Sequence, residues 1–393
     1  MTAKRGRHLL MTPGPTNIPD RVLQSMNRPA VELTGEAFIT LCRSCLTDLK
    51  RVFDTRSEVF IYPANGHGAW EAALVNTLST GDKVLVPETG IFSFFWGNMA
   101  HTLGFEFEEI PGDWRSGADA AQIGARLRED KGRHIKAILL VHTDTATGIT
   151  SDIEAVRAVL DETEHPALLM VDAVASLAAS EFRMDAWRVD VAVGASQKAL
   201  MSSPGLSFVA VSEKTMALTK TVTTARHYWD FTRRLSPRWF DWFCGTAPQH
   251  LMFGLRESLD MLFEEGMDAV VERHTRLAGA VRACISIWAE AGVLTLNAVE
   301  ADQQSNSIST VLVDPAYDVE QLIDHCQREF NVTVAGGLGR LDGSSLRLGH
   351  MGDINGAMIL GMLGALQSSF IALGVPHGSG GLEAAVLALS DIQ

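Results

Sequence analysis

One lysine, Lys198, stands in "GASQKALMSSPG" (194–205) among small and apolar residues, with no acid within several positions. Lysine in a dry neighbourhood tends to lose its proton, and a neutral amine is a nucleophile toward a carbonyl. The alternative is a packed stem whose head reaches water. A second unusual residue, Asp172, closes the near-fully apolar run of "ALLMVDAVASLAAS". A carboxylate there is unfavourable unless paired. A protonated pyridine nitrogen, a magnesium ion or an internal arginine would each pair it. The two residues are 26 positions apart, one strand–helix–strand step. That step places both beyond the ends of nearby strands on one side of a sheet.

Three other strand-end segments carry matching chemistry. After "EVFIY", Asn65, Gly66, His67 and Gly68 form a tight turn into a helix, whose free N–H groups suit a phosphate. Glu71 stands where a dinucleotide fingerprint needs its third glycine, and no G-x-x-x-x-G-K-[ST] occurs. Taken alone, this is also a plain strand-to-helix turn, with His67 as a turn residue. After "KVLVP", Phe92 follows a glycine turn and could stack on a flat ring or simply pack in the core. After "IKAILLV", the loop "HTDTATGIT" offers Thr145 or Thr147 as a donor, or a turn with local caps. A phosphate cradle, a stacking aromatic, hydroxyl donors, a buried acid and a desolvated lysine together match one cofactor, pyridoxal 5'-phosphate. Its aldehyde takes a lysine and its ring nitrogen takes a carboxylate.

The elements that must position these residues are short apolar runs alternating with helical patterns. The runs are 58–62, 83–87, 135–141, 167–171, 189–193 and 206–211. Such alternation predicts a largely parallel α/β sheet, and the lack of polar alternation within the runs predicts helices on both faces. Residues 212–245 are irregular and aromatic-rich. A long helical stretch near 248–293 follows, and strands resume at "SISTVLV", "NVTVAGG" and "SLRLG". The expected organisation is an N-terminal arm and substrate loop (1–20), a large domain (21–265) and a smaller α+β domain (266–393).

The chain has 393 residues, 46% of them hydrophobic, and a net charge of -14. Its length favours two domains, and no basic field is available to hold nucleic acid. Five cysteines and no apolar h-region at the N-terminus lead to an expected cytoplasmic setting with reduced thiols. Cys42 and Cys45 form a C-x-x-C inside an amphipathic helical pattern, and no second pair completes a zinc site, so helix packing is the expected role. The most apolar late run, "MILGMLGAL", is too short and too glycine-rich to span a bilayer, so no membrane association is expected.

Over nearly its whole length, from "PGPTNIP" through "HTDTATGITSDI", "VDAVAS" and "GASQKAL" to "LRLGHMGD", the chain resembles class V, fold type I, pyridoxal-phosphate aminotransferases. Within that class it is similar to the serine–glyoxylate and alanine–glyoxylate enzymes. The resemblance implies a mostly parallel, seven-stranded large-domain sheet and a smaller α+β C-terminal domain. It implies Lys198 as the Schiff-base lysine and proton shuttle, Asp172 on the pyridinium nitrogen, Phe92 on the ring and Thr145 on the ring hydroxyl. Asn65, Gly66, His67 and Gln197 would hold the phosphate. Thr246 would reach the neighbouring subunit's phosphate in a homodimer with shared sites. Arg347 would clamp the substrate carboxylate, and the loop with Gly14 and Pro15 would line the substrate pocket. No metal is implied.

The implied reaction moves an amino group from a small 2-amino acid, serine or alanine, to glyoxylate or pyruvate by a ping-pong mechanism. Gln197 favours transamination, since cysteine desulfurases of this class place a histidine before the lysine. The chain departs from its relatives at "ELTGE" (32–36), where a "DHRS"-like segment is common, at Phe243, where a tyrosine is common, and across the 225–245 run. These departures leave the amino donor open, with aspartate as an alternative. A lyase or decarboxylase acting on an unusual amino acid is the alternative outcome on the same cofactor.

Overall fold

Unbroken apolar runs become buried strands here because helices cover both faces of the sheet they form. The computed structural model describes residues 6–390. The first five residues of the predicted arm and the last three of the predicted C-terminal domain lie outside the described residues. The main sheet has seven strands: β1 (Glu58–Tyr62), β2 (Lys83–Pro87), β3 (Glu106–Ile110), β4 (Ile135–Val141), β5 (Leu168–Asp172), β6 (Val191–Ala195) and β7 (Ser207–Val211). Their order is β1-β7-β6-β5-β4-β2-β3. β7 runs antiparallel to β1 and β6, and the other pairs are parallel. One apolar cluster fills each face. Helix Glu36–Val52 contributes to one cluster, and helices Gly66–Thr77 and Ile91–Thr102 cover the other.

The sequence pattern misses β3, "EFEEI". It is an edge strand with no residue fully buried, and Lys83 and Arg126 pair with its Glu108. An edge strand needs less apolar surface and so reads as a loop. β5 and β6 begin one and two residues later than the apolar runs suggest. Asp172 is therefore the last residue of β5, in register with Val141 and Val193.

The long helical stretch is two helices, Gln249–Glu265 and Met267–Trp288, separated by Gly266 at φ +91. The second starts against the first core at Val270 and ends in a separate core at Leu277, Val281 and Trp288. That core backs a four-stranded antiparallel sheet of β8 (Leu294–Leu296), β9 (Ile308–Val313), β10 (Ala335–Gly336) and β11 (Ser345–Gly349), ordered β8-β9-β11-β10. The predicted strand in "NVTVAGG" divides in two. Val332–Thr333 pairs in parallel with Leu9–Leu10, and only Ala335–Gly336 joins β11. The N-terminal segment is thereby tied to the second core, where Met11 is buried.

The apolar run "MILGMLGAL" lies in helix Gly356–Leu373, which is longer than the run itself and is long and apolar enough, by length and composition, to cross a membrane. Its Ile359, Met362, Leu363, Leu366 and Phe370 pack into the second core. Cys42 and Cys45 are buried on helix Glu36–Val52, and burial pushes both thiols up to about 12. Among the described residues no group of three or more His, Cys, Asp or Glu is placed to hold a metal.

Candidate active site

Asp172 ends β5 and Lys198 lies in the turn after the neighbouring β6. Both line one cavity of about 240 Å³ at the carboxyl ends of the strands, the place where open α/β sheets bind ligands. Asn65, Gly66, His67, Phe92, Thr145 and Gln197 line the same cavity. Sequence reasoning therefore places eight of its candidates around one space, although they come from five separate strand-end segments.

Lys198 is held from two directions. Within its own turn, the Met201 N–H donates to the Lys198 carbonyl at 2.8 Å. From the N-terminal loop, the Thr16 hydroxyl donates to the same carbonyl at 2.9 Å, and the Thr16 N–H donates to the Gln197 carbonyl at 3.1 Å. The Lys198 Nζ donates to the Pro13 carbonyl at 2.5 Å. Burial lowers its pKa to about 8, the nearby Arg347 cation acts in the same direction, and Asp172 and Asp144 oppose them. Part of its side chain remains open to the cavity. The amine is thus close to neutral at mildly basic pH, as a nucleophile or proton carrier requires.

Asp172 is buried. It accepts the Val174 N–H on one oxygen at 2.7 Å and the Trp70 indole N–H on the other at 3.1 Å. Burial raises its pKa to about 7, and the charge of Asp144 adds to the rise against Val174, Trp70 and Lys198. Such a carboxyl gains most from a cationic partner that also fills the cavity.

The phosphate-type cradle is the start of helix Gly66–Thr77. Asn65 caps it, accepting the Gly68 N–H, while Gly66 and His67, as the first two helical residues, have no intrahelical acceptor. Gln197 lines the same cavity; only its amide nitrogen can donate to a phosphate, while its side-chain oxygen, buried without a partner, is an acceptor. The His67 ring leans on Trp70 at 4.4 Å, and burial lowers its pKa.

Some candidates sit elsewhere. Arg347, on β11, does not line the cavity. Its Nε donates to the Gly336 carbonyl at 2.5 Å and its Nη1 to the Thr145 carbonyl at 3.0 Å, so backbone engages two of its three nitrogens. Burial lowers its pKa to about 10, and Asp144 opposes the shift. Thr246 is exposed outside the cavity. Phe243 is buried in a core behind β1, against Val59 and Ile61, rather than at Lys198. Pro15 is exposed, and its carbonyl accepts the Thr12 hydroxyl. Thr147 is buried and spends its hydroxyl on the Thr89 carbonyl at 3.1 Å.

Gly14 touches the lysine itself. A Cβ there would lie 2.4 Å from Nζ, and its φ of +119 suits only glycine. Gly14→Ala is expected to displace the amine and lower kcat by about 10²-fold, measured by steady-state kinetics on protein of unchanged circular dichroism.

Two residues escaped sequence reasoning. Trp70 reads as part of a helix pattern, though a buried indole must find an acceptor, and Asp172 is one. Asp144 is fully buried. It accepts N–H groups of Ala146 and Phe92, both at 2.9 Å, and so caps the helix that carries Phe92. Burial raises its pKa to about 6. No local pattern distinguishes it from a turn aspartate.

Comparison with known proteins shows the family and the fold. Residues 8–340 match the aminotransferase class-V family. The chain is 38% identical over 374 residues to the serine–glyoxylate aminotransferase of Arabidopsis thaliana, covering 94% of this chain and 92% of that one. It is 36% identical to the L-aspartate–glyoxylate aminotransferase of Paracoccus denitrificans strain Pd 1222, covering 93% and 92%. The ureidoglycine–glyoxylate aminotransferase of Bacillus subtilis has the same fold, with a TM-score of 0.90 over 100% of both chains at 24% identity. The chain belongs to the class-V aminotransferase family, and the protein is an aminotransferase.

Proposed function

We propose that the protein uses pyridoxal 5'-phosphate to move an amino group from a small 2-amino acid, serine or alanine, to glyoxylate or pyruvate in two half-reactions. The observation that carries this reading is the pairing of a depressed lysine and a buried carboxyl across one cavity with a helix N-terminus at its edge. The residues present fit the cofactor: Gly66 and His67 offer free N–H groups at the helix start, and the Gln197 amide, which can donate through its nitrogen, lines the same cavity. When bound, the cofactor supplies an aldehyde for the amine and an electron sink for the substrate's α-carbon.

The chain's own groups supply the rest. Gly66, His67, Asn65 and Gln197 would hold the phosphate, and Phe92 and Thr145 would wall the ring. Asp172 would keep a proton on the ring nitrogen by charge. Lys198 Nζ would take a proton from the substrate α-carbon and return it on the far side of the reaction. Arg347, whose guanidinium two backbone carbonyls orient, would hold the substrate carboxylate through its remaining N–H groups.

The names of the relatives include both serine and L-aspartate as donors to glyoxylate, so the donor is the part to measure. Holoenzyme mixed with serine or alanine is expected to lose its visible absorption band, and glyoxylate or pyruvate is expected to restore it. Loss of the band with aspartate alone would change the donor. Pyruvate or ammonia released without an oxo-acid acceptor would replace transfer by a lyase reaction. A homodimer is part of the same proposal. Phe94 and Phe95, each 41% exposed, stand beside the Phe92 and His67 wall of the cavity and would be covered by a second copy. Light scattering at a dimer mass is the expected result.

A further inference from the structure

Glu88 stands one residue past β2 and four before Phe92. It is buried, yet its carboxylate is fully used. It accepts the Gly112 N–H at 3.1 Å, the Trp114 indole N–H at 2.9 Å and the Arg340 guanidinium at 2.5 Å. Arg340 comes from the C-terminal part of the chain. It also donates to the Gly112 carbonyl at 3.2 Å and lies 5.0 Å over the Trp114 ring. Its side chain is 57% exposed while that of Glu88 is 4% exposed, so an open cation closes over a buried anion. Glu109, half-buried beside them, adds a second negative charge that faces the same guanidinium.

The segment bearing Arg340 is tied to itself. Leu341 N–H donates to the Leu338 carbonyl at 3.1 Å, and Ser344 N–H and the Ser345 hydroxyl both donate to the Leu341 carbonyl, at 3.2 and 3.1 Å. Gly339 lies so close to Trp114 and Ile91 that a Cβ would come within 2.8 and 2.9 Å of them. The segment's other end is Gly336, whose carbonyl receives Arg347 Nε. One segment therefore joins Glu88 on the large-domain wall to the guanidinium of Arg347.

We propose that Arg340, through Glu88 and Trp114, is a positioning residue for Arg347: it holds the Gly336–Leu341 segment against the wall that carries Phe92 and so sets the grip on the substrate carboxylate. This rests on the role of Arg347 proposed above. Arg340 touches no reacting atom, so its removal loosens binding rather than chemistry. Both substrates of a transamination carry the same carboxylate, so both lose together.

The test compares wild-type holoenzyme with Arg340→Ala and Arg340→Lys. Arg340→Ala is expected to raise KM for donor and acceptor by about tenfold, the size of one charge-assisted hydrogen bond, with kcat held within about twofold. Arg340→Lys should fall between, since an ammonium cannot reproduce the fork. Calorimetric binding of acetate should weaken in the same order, and amide exchange at 336–341 should quicken. Unchanged KM and acetate binding in folded Arg340→Ala would overturn the proposal, as would a fall in kcat alone or in thermal stability alone. A wild type that binds acetate, shows the shift and transfers no amino group would leave the proposal standing and sink the functional reading.

Discussion

Lys198→Ala is expected to lower kcat by about 10⁴-fold, the upper range for losing a positioned acid–base and nucleophilic group. The physical basis is the chain's own arrangement. Burial and the Arg347 cation bring the amine to about 8, the Pro13 carbonyl and the Thr16 hydroxyl fix its reach, and Gly14, having no Cβ, leaves the space the amine occupies. Among the described residues no second lysine lines the cavity to replace it. Holoenzyme should also lose its visible absorption band, read on the same sample. A Lys198→Ala protein with normal turnover would sink the assignment. Lys198→Arg is expected to be as inactive, because a guanidinium stays protonated at any workable pH. That variant separates a need for positive charge from a need for a neutral amine.

Asp172→Asn is expected to move activity and stability in opposite directions. Activity should fall by about 10²–10³-fold, the range for removing one preorganised electrostatic partner. The apo protein should gain stability at pH 8, because asparagine removes a buried charge. The sign follows from the protons bound. Folding raises the Asp172 pKa from 3.8 to about 7. Between those values the folded state keeps a proton that the unfolded state has lost, so stability falls as pH rises through the window. Lys198 acts oppositely. Its pKa falls from 10.5 to about 8, so between those values the unfolded state holds the extra proton and stability rises with pH. The variant should flatten the first window and, because the Asp172 charge holds the Lys198 pKa up, widen the second. The gain at pH 8 is on the order of 1–2 kcal/mol, since the amide satisfies only one of the two donors that Asp172 accepts. Urea unfolding of both apo proteins at pH 5 and pH 8 measures it. A variant less stable than wild type at pH 8 would show that Asp172 is a structural acceptor for Trp70 and Val174 first.

The opposite signs have one cause. A buried acid and a buried amine are each held in an environment that disfavours charge, and neither receives a full counter-ion from the protein. The fold tolerates this because the sheet around them is apolar on both faces, from β4 through β7. Stability surrendered at the strand ends is what leaves the two groups free to act on a ligand.

Lys198 and Asp172 could be read from the sequence because each violates its own surroundings: a charge beside a run of apolar residues has few structural explanations. The Asn65–Gly68 turn was legible for a local reason too, since a helix start depends on its own first residues. The α/β alternation followed from hydrophobic runs whose burial on two faces leaves no polar alternation. β3 was hidden because an edge strand can be half polar, and the ends of β5 and β6 because apolar composition does not mark where pairing stops.

What only the tertiary structure decided is how distant groups meet. Trp70 reaches Asp172 across 102 positions, Asp144 caps the Phe92 helix across 52, and Arg347 meets the Thr145 carbonyl across 202. A hydrogen bond of that kind leaves no trace in local periodicity, because either partner would look the same in a turn or on a surface. The residue types and the strand that carries each of them were in the sequence. The charge state of Lys198 and Asp172, and the grip that Arg340 and Glu88 place on the loop behind Arg347, come from burial and from contacts that exist only once the two cores have packed.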